Sequence, residues 1–181
     1  MKTEQFLDIL AAGEKTNSLG RTNEVIDTVL RDQSRLEELY QCLFSQDAWV
    51  RMRAADALEK VCREHPDWIL PYIDRLARDF STSTQASIQW HMAQIYRQVH
   101  LTDAQQKMAA TWLAQLLSHK DADWIAAANA MDTLAQFTKN GRYPAAKMID
   151  LLHVQKQHKS NAVIKRATKY LAELTEHRPT Q

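Results

Sequence analysis

The sequence predicts an all-α fold, built as a short right-handed solenoid of about four to five stacked antiparallel helical hairpins. Three observations predict it. Only three glycines and four prolines occur in 181 residues, too few for a loop-rich β-fold or a disordered chain. From residue 34 onward, apolar residues recur at helical spacing between short polar breaks. Aligning the second helix of each hairpin on its best aliphatic position pairs Leu58, Met92, Leu134 and Leu171, at spacings of 34, 42 and 37 residues. Recurrence at this length is the mark of a hairpin array. An ordinary helical bundle would share the helices without sharing the period.

The elements follow in order. Residues 1–33 hold two short helices, at about 3–12 and 22–30, which are expected to cap the N-terminal end. The hairpin 34–65 opens with a helix over 34–44, striped by Leu36, Leu39 and Leu43, and Ser34 with Glu37 fits a capping box. Ser45-Gln46-Asp47 breaks it, and Asp47 is a natural N-cap for a helix over 47–63. That helix sets Val50, Ala54, Ala57, Leu58 and Val61 on one face, where small residues admit a close neighbour.

The hairpin 66–99 pairs a helix over 67–79, carrying Ile69, Tyr72, Ile73 and Leu76, with one over 82–99, carrying Ile88, Met92 and Ile95. Pro71 is expected in the first turn, where its missing N–H costs little. The hairpin 102–139 pairs 103–117, with Met108, Trp112, Leu113 and Leu116, and 121–138, with Ala130, Leu134 and Phe137. Gly141-Arg142-Tyr143-Pro144 is a strong break. The hairpin 142–176 then pairs 145–155, with Met148, Leu151 and Leu152, and 161–175, with Val163, Ala167, Leu171 and Leu174. Chain length and composition favour one domain over 1–181.

The run from Asp47 to Leu58, in which Val50-Arg51, Ala54-Ala55 and Ala57-Leu58 follow Asp47, resembles the second helix of a HEAT repeat. The match is close over this helix and loose over the hairpins of 34–176. Gln85, Ala127 and Ile164 stand where Arg51 does, so the Asp–Arg contact typical of the family is not repeated along the chain. The resemblance implies that Asp47 and Arg51 are structural, tying adjacent layers. It also implies a non-catalytic scaffold that holds a protein or peptide on the concave face lined by second helices.

A helical wheel of that helix turns Trp49, Met52, Asp56, Lys60 and Arg63 away from the core. In the same register Trp90, Asp132 and Lys169 take the place of Asp56, and Ala86, Ala128 and Lys165 that of Met52. The candidate partner-binding residues are therefore Trp49, Met52, Asp56, Arg63, Trp90, Asp132, Lys165 and Lys169. Tryptophan outside a core is a typical interface anchor, although one residue of register turns either ring inward. Trp112 is expected in the core, and Trp68 to staple the turn after Pro66-Asp67.

Charge is unevenly spread. Residues 139–181 hold Lys139, Arg142, Lys147, Lys156, Lys159, Lys165, Arg166, Lys169 and Arg178 against Asp150, Glu173 and Glu176, net +6, while the rest is net −5 and the whole chain +1. A solvated helical surface is the plain reading. The functional one is a dock for an acidic partner, a phosphate backbone or the acidic part of a second copy, which includes a weak homo-oligomer.

Enzyme motifs are sparse. Three scattered glycines make no phosphate loop, and His153 and His158 are five apart, off the spacing for two ligands on one helical face. No catalytic residue, cofactor or metal site is expected. His91 falls on the buried side of its helix. Cys42 and Cys62 end antiparallel helices at opposite ends of a hairpin, about 20 Å apart, and are read as free thiols. HEAT-like proteins also include glycosylases that excise alkylated DNA bases and lyases that attach bilins. The alternative reading is accordingly a nucleic-acid binder or alkyl-base glycosylase, acting through the basic C-terminal hairpin because the acidic remainder would repel phosphate. No apolar run approaches the roughly 18 residues of a membrane span. The start, Met1-Lys2-Thr3-Glu4-Gln5, lacks the apolar stretch of a secretion signal, so a cytoplasmic protein is expected.

Overall fold

In a computed structural model, which describes residues 4–13 and 18–176, every regular element among the described residues is helical. The fold is all-α, built of helices packed against one another. Met1, Lys2, Thr3 and Arg178 lie outside the described residues. Among the described residues, no helix is long and apolar enough to cross a membrane. The described residues fall into two compact units, one from those within 1–72 and 83–100, the other from those within 73–82 and 101–181.

The first unit contains α1 (Phe6–Ala11), α2 (Thr22–Arg31), α3 (Leu36–Gln41), α4 (Ala48–Glu64), α5 (Pro66–Ile69) and α7 (Ala86–Gln98). Short 3-10 turns at Gln33–Arg35 and Cys42–Phe44 flank α3. α4 is central, packing against α1, α2, α3 and α7. Its expected face is buried: Val50, Ala54, Ala57, Leu58 and Val61 are each at most 1% exposed. Asp47 caps it as expected, its Oδ1 accepting from the Trp49 N–H at 2.8 Å. On α7, Ile88, Met92 and Ile95 are buried as expected.

The start of the first hairpin differs from expectation. No Ser34–Glu37 capping box forms. Asp32 instead accepts from the Ser34 N–H at 3.1 Å and its hydroxyl at 2.6 Å. A carboxylate two residues upstream offers a stronger acceptor than the hydroxyl, and it opens a 3-10 turn rather than an α-helix. Residues 82–85 likewise stay outside α7, and the Gln85 side chain provides no cap.

Arg53 is the largest fully buried side chain. Its Nη1 donates to the Leu10 carbonyl at 2.7 Å and its Nε to the Ser18 carbonyl at 3.0 Å, tying the end of α1 and the following segment to α4. Gly20, at φ +52°, lies against this guanidinium, and a Cβ there would stand 2.8 Å from the Ala12 carbonyl oxygen. α1 is fixed at its other end by Glu38, whose Oε1 accepts from the Phe6 N–H at 2.7 Å. Arg35 covers the Phe6 ring at 4.0 Å.

The helix expected over 67–79 is interrupted. Pro66, not Pro71, occupies the first turn, and Leu70–Tyr72 forms a 3-10 turn before the chain continues as α6 (Ile73–Phe80). Pro71 lacks the N–H and its ring crowds the preceding turn, so the α-ladder stops there. The division between the units follows this turn.

The second unit contains α6, α8 (Asp103–Leu117), α9 (Trp124–Lys139), α10 (Ala145–Gln155) and α11 (Asn161–Glu176). α8 carries a full capping box between Thr102 and Gln105. α9 is capped by Asp123, not opened at residue 121, with Oδ1 accepting from Ile125 and Ala126. It packs through Ala126, Ala127, Ala130, Met131 and Leu134, all fully buried. Val163 and Ala167 of α11 are buried, whereas Leu171 and Leu174 are only partly so.

On α8 the expected stripe is displaced. Met108, Trp112 and Leu116 are partly exposed, while Gln106, Ala109, Ala110, Leu113 and Leu117 are buried. Two neighbouring i, i+4 rows are apolar, and the one with alanines lets the adjoining helices come close. Trp112 thus sits at the edge of the core, its indole N–H donating to the Ser81 carbonyl at 3.0 Å.

Candidate functional site

Within the first unit, α7 packs against α4, and the candidate residues of this unit lie on these two helices. Trp49, Met52 and Asp56 on α4 and Trp90 on α7 are half-buried, and Arg63 is exposed. The charges here are matched locally. Asp56 pairs with Lys60 at 2.8 Å, and Glu59 with Arg63 at 2.8 Å. Gln98 of α7 donates to Glu59 Oε1 at 2.5 Å, which ties the two helices together.

On α7 His91 is buried, its Nδ1 3.0 Å from Gln94 Oε1 and its ring 5.4 Å from that of Trp90. Burial lowers the His91 pKa, and Lys60 adds to that. Asp56, Glu59 and the bond to Gln94 pull the other way without cancelling it. The imidazole is therefore neutral at pH 7 and part of the packing, as its expected placement requires.

The layer contact typical of the resemblance is present in altered form. Arg51 Nε donates to Gln85 Oε1 at 2.7 Å, and Arg51 Nη1 to the carbonyls of Ser45 and Gln46 at 2.7 and 3.0 Å. Gln85 Nε2 donates back to the Ala48 carbonyl at 2.9 Å. A glutamine that breaks the sequence pattern thus accepts from the arginine of the layer before it.

In the second unit, α11 packs on α9, and Asp132, Lys165 and Lys169 line one cleft with Arg166 and Tyr170. Asp132 accepts from Arg166 at 2.5 Å and from the Tyr170 hydroxyl at 2.7 Å. Burial, then this bond, pushes the Tyr170 phenol up, so it stays a donor. Glu173 pairs with Lys139 at 2.8 Å and with Lys169 at 3.8 Å. Lys165 and Lys169 are exposed. Asp132 acts as a strut between α9 and α11, and the cations present the surface.

Other groups are committed to packing. Cys42 and Cys62 are buried and unbridged. Burial, with Glu38 near one and Glu59 near the other, pushes their thiols up to about 11 and about 12. His158 is buried too, its Nδ1 accepting from the Ser160 N–H at 2.8 Å and its Nε2 donating to the Ala122 carbonyl at 2.8 Å. His65 stacks on Trp68 at 4.0 Å and 10°, so Trp68 does staple its turn.

Sequence reasoning missed Arg53, Arg166 as the partner of Asp132, and Tyr170. Contacts spanning 34 to 43 residues leave no local pattern. It also left Trp124 without a place. At 51% exposure Trp124 is the most open tryptophan, held outward as the first residue of α9.

A family model described as a HEAT repeat domain matches residues 14–89, a stretch that spans α2 to the first turn of α7 and includes the Asp47–Leu58 helix. HEAT repeats are helical scaffolds generally used in protein interaction and typically non-catalytic. Neither the curated proteins nor the solved structures compared with this chain give a match.

Proposed function

We propose that this protein is a non-catalytic interaction module that holds a protein or peptide segment against the faces of its second helices, α4 with α7 and α9 with α11. One observation carries the reading. On the α4/α7 face Trp49, Met52 and Trp90 keep part of their surface open, while the neighbouring charges are already paired with each other. A face whose charges are satisfied offers apolar anchoring, the usual source of interface energy. The α9/α11 face of the other unit, with Lys165 and Lys169 outermost, would by itself favour an acidic stretch. The non-catalytic part is supported by the state of the nucleophiles and bases, since both thiols are protonated at neutral pH and His91 and His158 are held by internal bonds.

The test is selection from a random dodecapeptide display library on the full chain. Enrichment of peptides with aromatic and acidic residues, lost with Trp49→Ala/Trp90→Ala at unchanged helicity and Tm, supports the reading. Selected peptides that bind the double variant equally well would remove these tryptophans from the interface.

A second reading, a nucleic-acid contact through the basic hairpin, is favoured by Lys165, Arg166 and Lys169 sharing one cleft. The pairing of Arg166 with Asp132 and Lys169 with Glu173 weakens it. Affinity for duplex DNA that falls steeply between 50 and 200 mM salt would support it, and no binding at the lower salt excludes it.

A further inference from the structure

A different cleft in the second unit, between α8 and the start of α10, carries a chemistry that the interaction reading does not use. Its volume is about 450 Å³, within the range of small-ligand sites. Lys107, Arg142 and Lys147 line it, and Asp103 is its one carboxylate. None of the three cations makes an ion pair among the described residues, in contrast to Lys139, Lys159, Arg166 and Lys169 of the same basic end.

The cations are positioned by the fold. α9 ends in a Schellman motif, in which Gly141, at φ +71°, donates to the Thr138 carbonyl at 3.0 Å and Arg142 N–H reaches back to the Phe137 carbonyl at 2.9 Å. This fixes the backbone of Arg142, whose Nη1 then donates to Gln106 Oε1 at 2.7 Å. Lys147 sits in the first turn of α10. That turn has no acidic residue and no side-chain cap, so a cation there opposes the helix dipole. Lys107 projects from α8 beside Gln106.

Gln106 supplies the independent sign. It is 4% exposed and lines the cleft, yet its Nε2 has no hydrogen-bond partner. A buried donor without an acceptor is costly, and an oxygen ligand in the cleft would relieve it. A buried donor, an uncapped helix start and three cations without an ion pair would each be satisfied by the same thing, a multivalent oxyanion. The cleft is larger than a bare phosphate needs, and Tyr143, Pro144 and Ala110 give it an apolar wall. Burial and the charge of Asp150 push the Tyr143 phenol up, so it also remains a donor.

We propose that this cleft binds a phosphate monoester carried on a small organic group, with Arg142, Lys107, Lys147 and the Gln106 amide on the phosphate oxygens and Tyr143 against the organic part. The test is a titration of the full chain, followed by amide and side-chain NMR, with inorganic phosphate and with phenyl phosphate as probes. The expected result is saturable shifts at Gln106, Arg142 and the first turn of α10, with phenyl phosphate binding about tenfold more tightly than phosphate. Arg142→Gln should weaken phenyl phosphate at least tenfold. Gln106→Leu should weaken it while raising the Tm of the free protein, an outcome that separates loss of a ligand contact from loss of the fold. Equal affinity for the two probes would overturn the organic part of the assignment. Absence of saturation by about 10 mM phenyl phosphate, or shifts unaffected by Arg142→Gln, would overturn the site. A phosphoserine peptide that binds more tightly than phenyl phosphate and spreads its shifts beyond the cleft would overturn the small-ligand assignment in favour of a phosphoprotein.

Discussion

Arg51 donates from Nε to Gln85 Oε1 at 2.7 Å, joining the first turn of α4 to the residue that precedes α7, 34 residues on in the chain. The bond explains how a stack can be kept where the sequence abandons the repeating arginine. Gln85 replaces the next arginine, accepts from the previous one, and donates to the Ala48 carbonyl. Arg51→Ala should cost more than Gln85→Ala, since Arg51 also serves the carbonyls of Ser45 and Gln46. A double-mutant cycle by urea unfolding should return a coupling of about 0.5–1.5 kcal/mol. Additive effects would show that the two side chains stabilise their layers independently.

Arg53 should be among the most costly side chains to remove. Its guanidinium serves the carbonyls of Leu10 and Ser18 from a fully buried position, so Arg53→Leu leaves both acceptors without it. A loss of about 2–4 kcal/mol is expected. Hydrogen exchange should show α1 losing protection before α4. Gly20→Ala should act on the same junction, because φ is +52° and the new Cβ would meet the Ala12 carbonyl.

Much of the fold is legible in local sequence, and the exceptions have physical causes. The bounds of α8 and α10 and the buried face of α4 follow from periodicity and capping alone. Pro66 and Pro71 both suit a first turn by sequence, and only one can take it. On α8, Met108, Trp112 and Leu116 look more apolar in sequence than Ala109 and Ala110, while close packing rewards the smaller row. Of the candidate site, Asp132, Lys165 and Lys169 do meet, through Arg166 and Tyr170, whose roles depend on contacts between helices.

His91 makes the first unit sensitive to acid. Its folded pKa lies below the unfolded value of about 6.5, chiefly through burial, so the unfolded chain binds the proton more readily. The contribution is full above pH 6.5 and is lost as pH falls through and below it. The groups facing it from α4 are Asp56, Glu59 and Lys60. His91→Gln should lower Tm at pH 8 but flatten its decline between pH 7 and pH 5. An unchanged slope would place the acid sensitivity elsewhere.

Cys42 and Cys62 should resist alkylation in the folded protein at pH 7.5 and react rapidly in denaturant. Burial keeps both thiols protonated, at about 11 and about 12, and the thiolate is the reactive form. Fast labelling of either in the native state would contradict its burial.

The interaction reading is tested most directly by the tryptophan side-chain resonances. The chain has five indole N–H groups, and Trp112 is held internally by Ser81, which makes it a reference. Titration with a selected aromatic peptide is expected to shift the indoles of Trp49 and Trp90 and leave that of Trp112 in place, with affinity lost in Trp49→Ala/Trp90→Ala. Unmoved Trp49 and Trp90 signals at saturating peptide would contradict the claim that the α4/α7 face holds the partner.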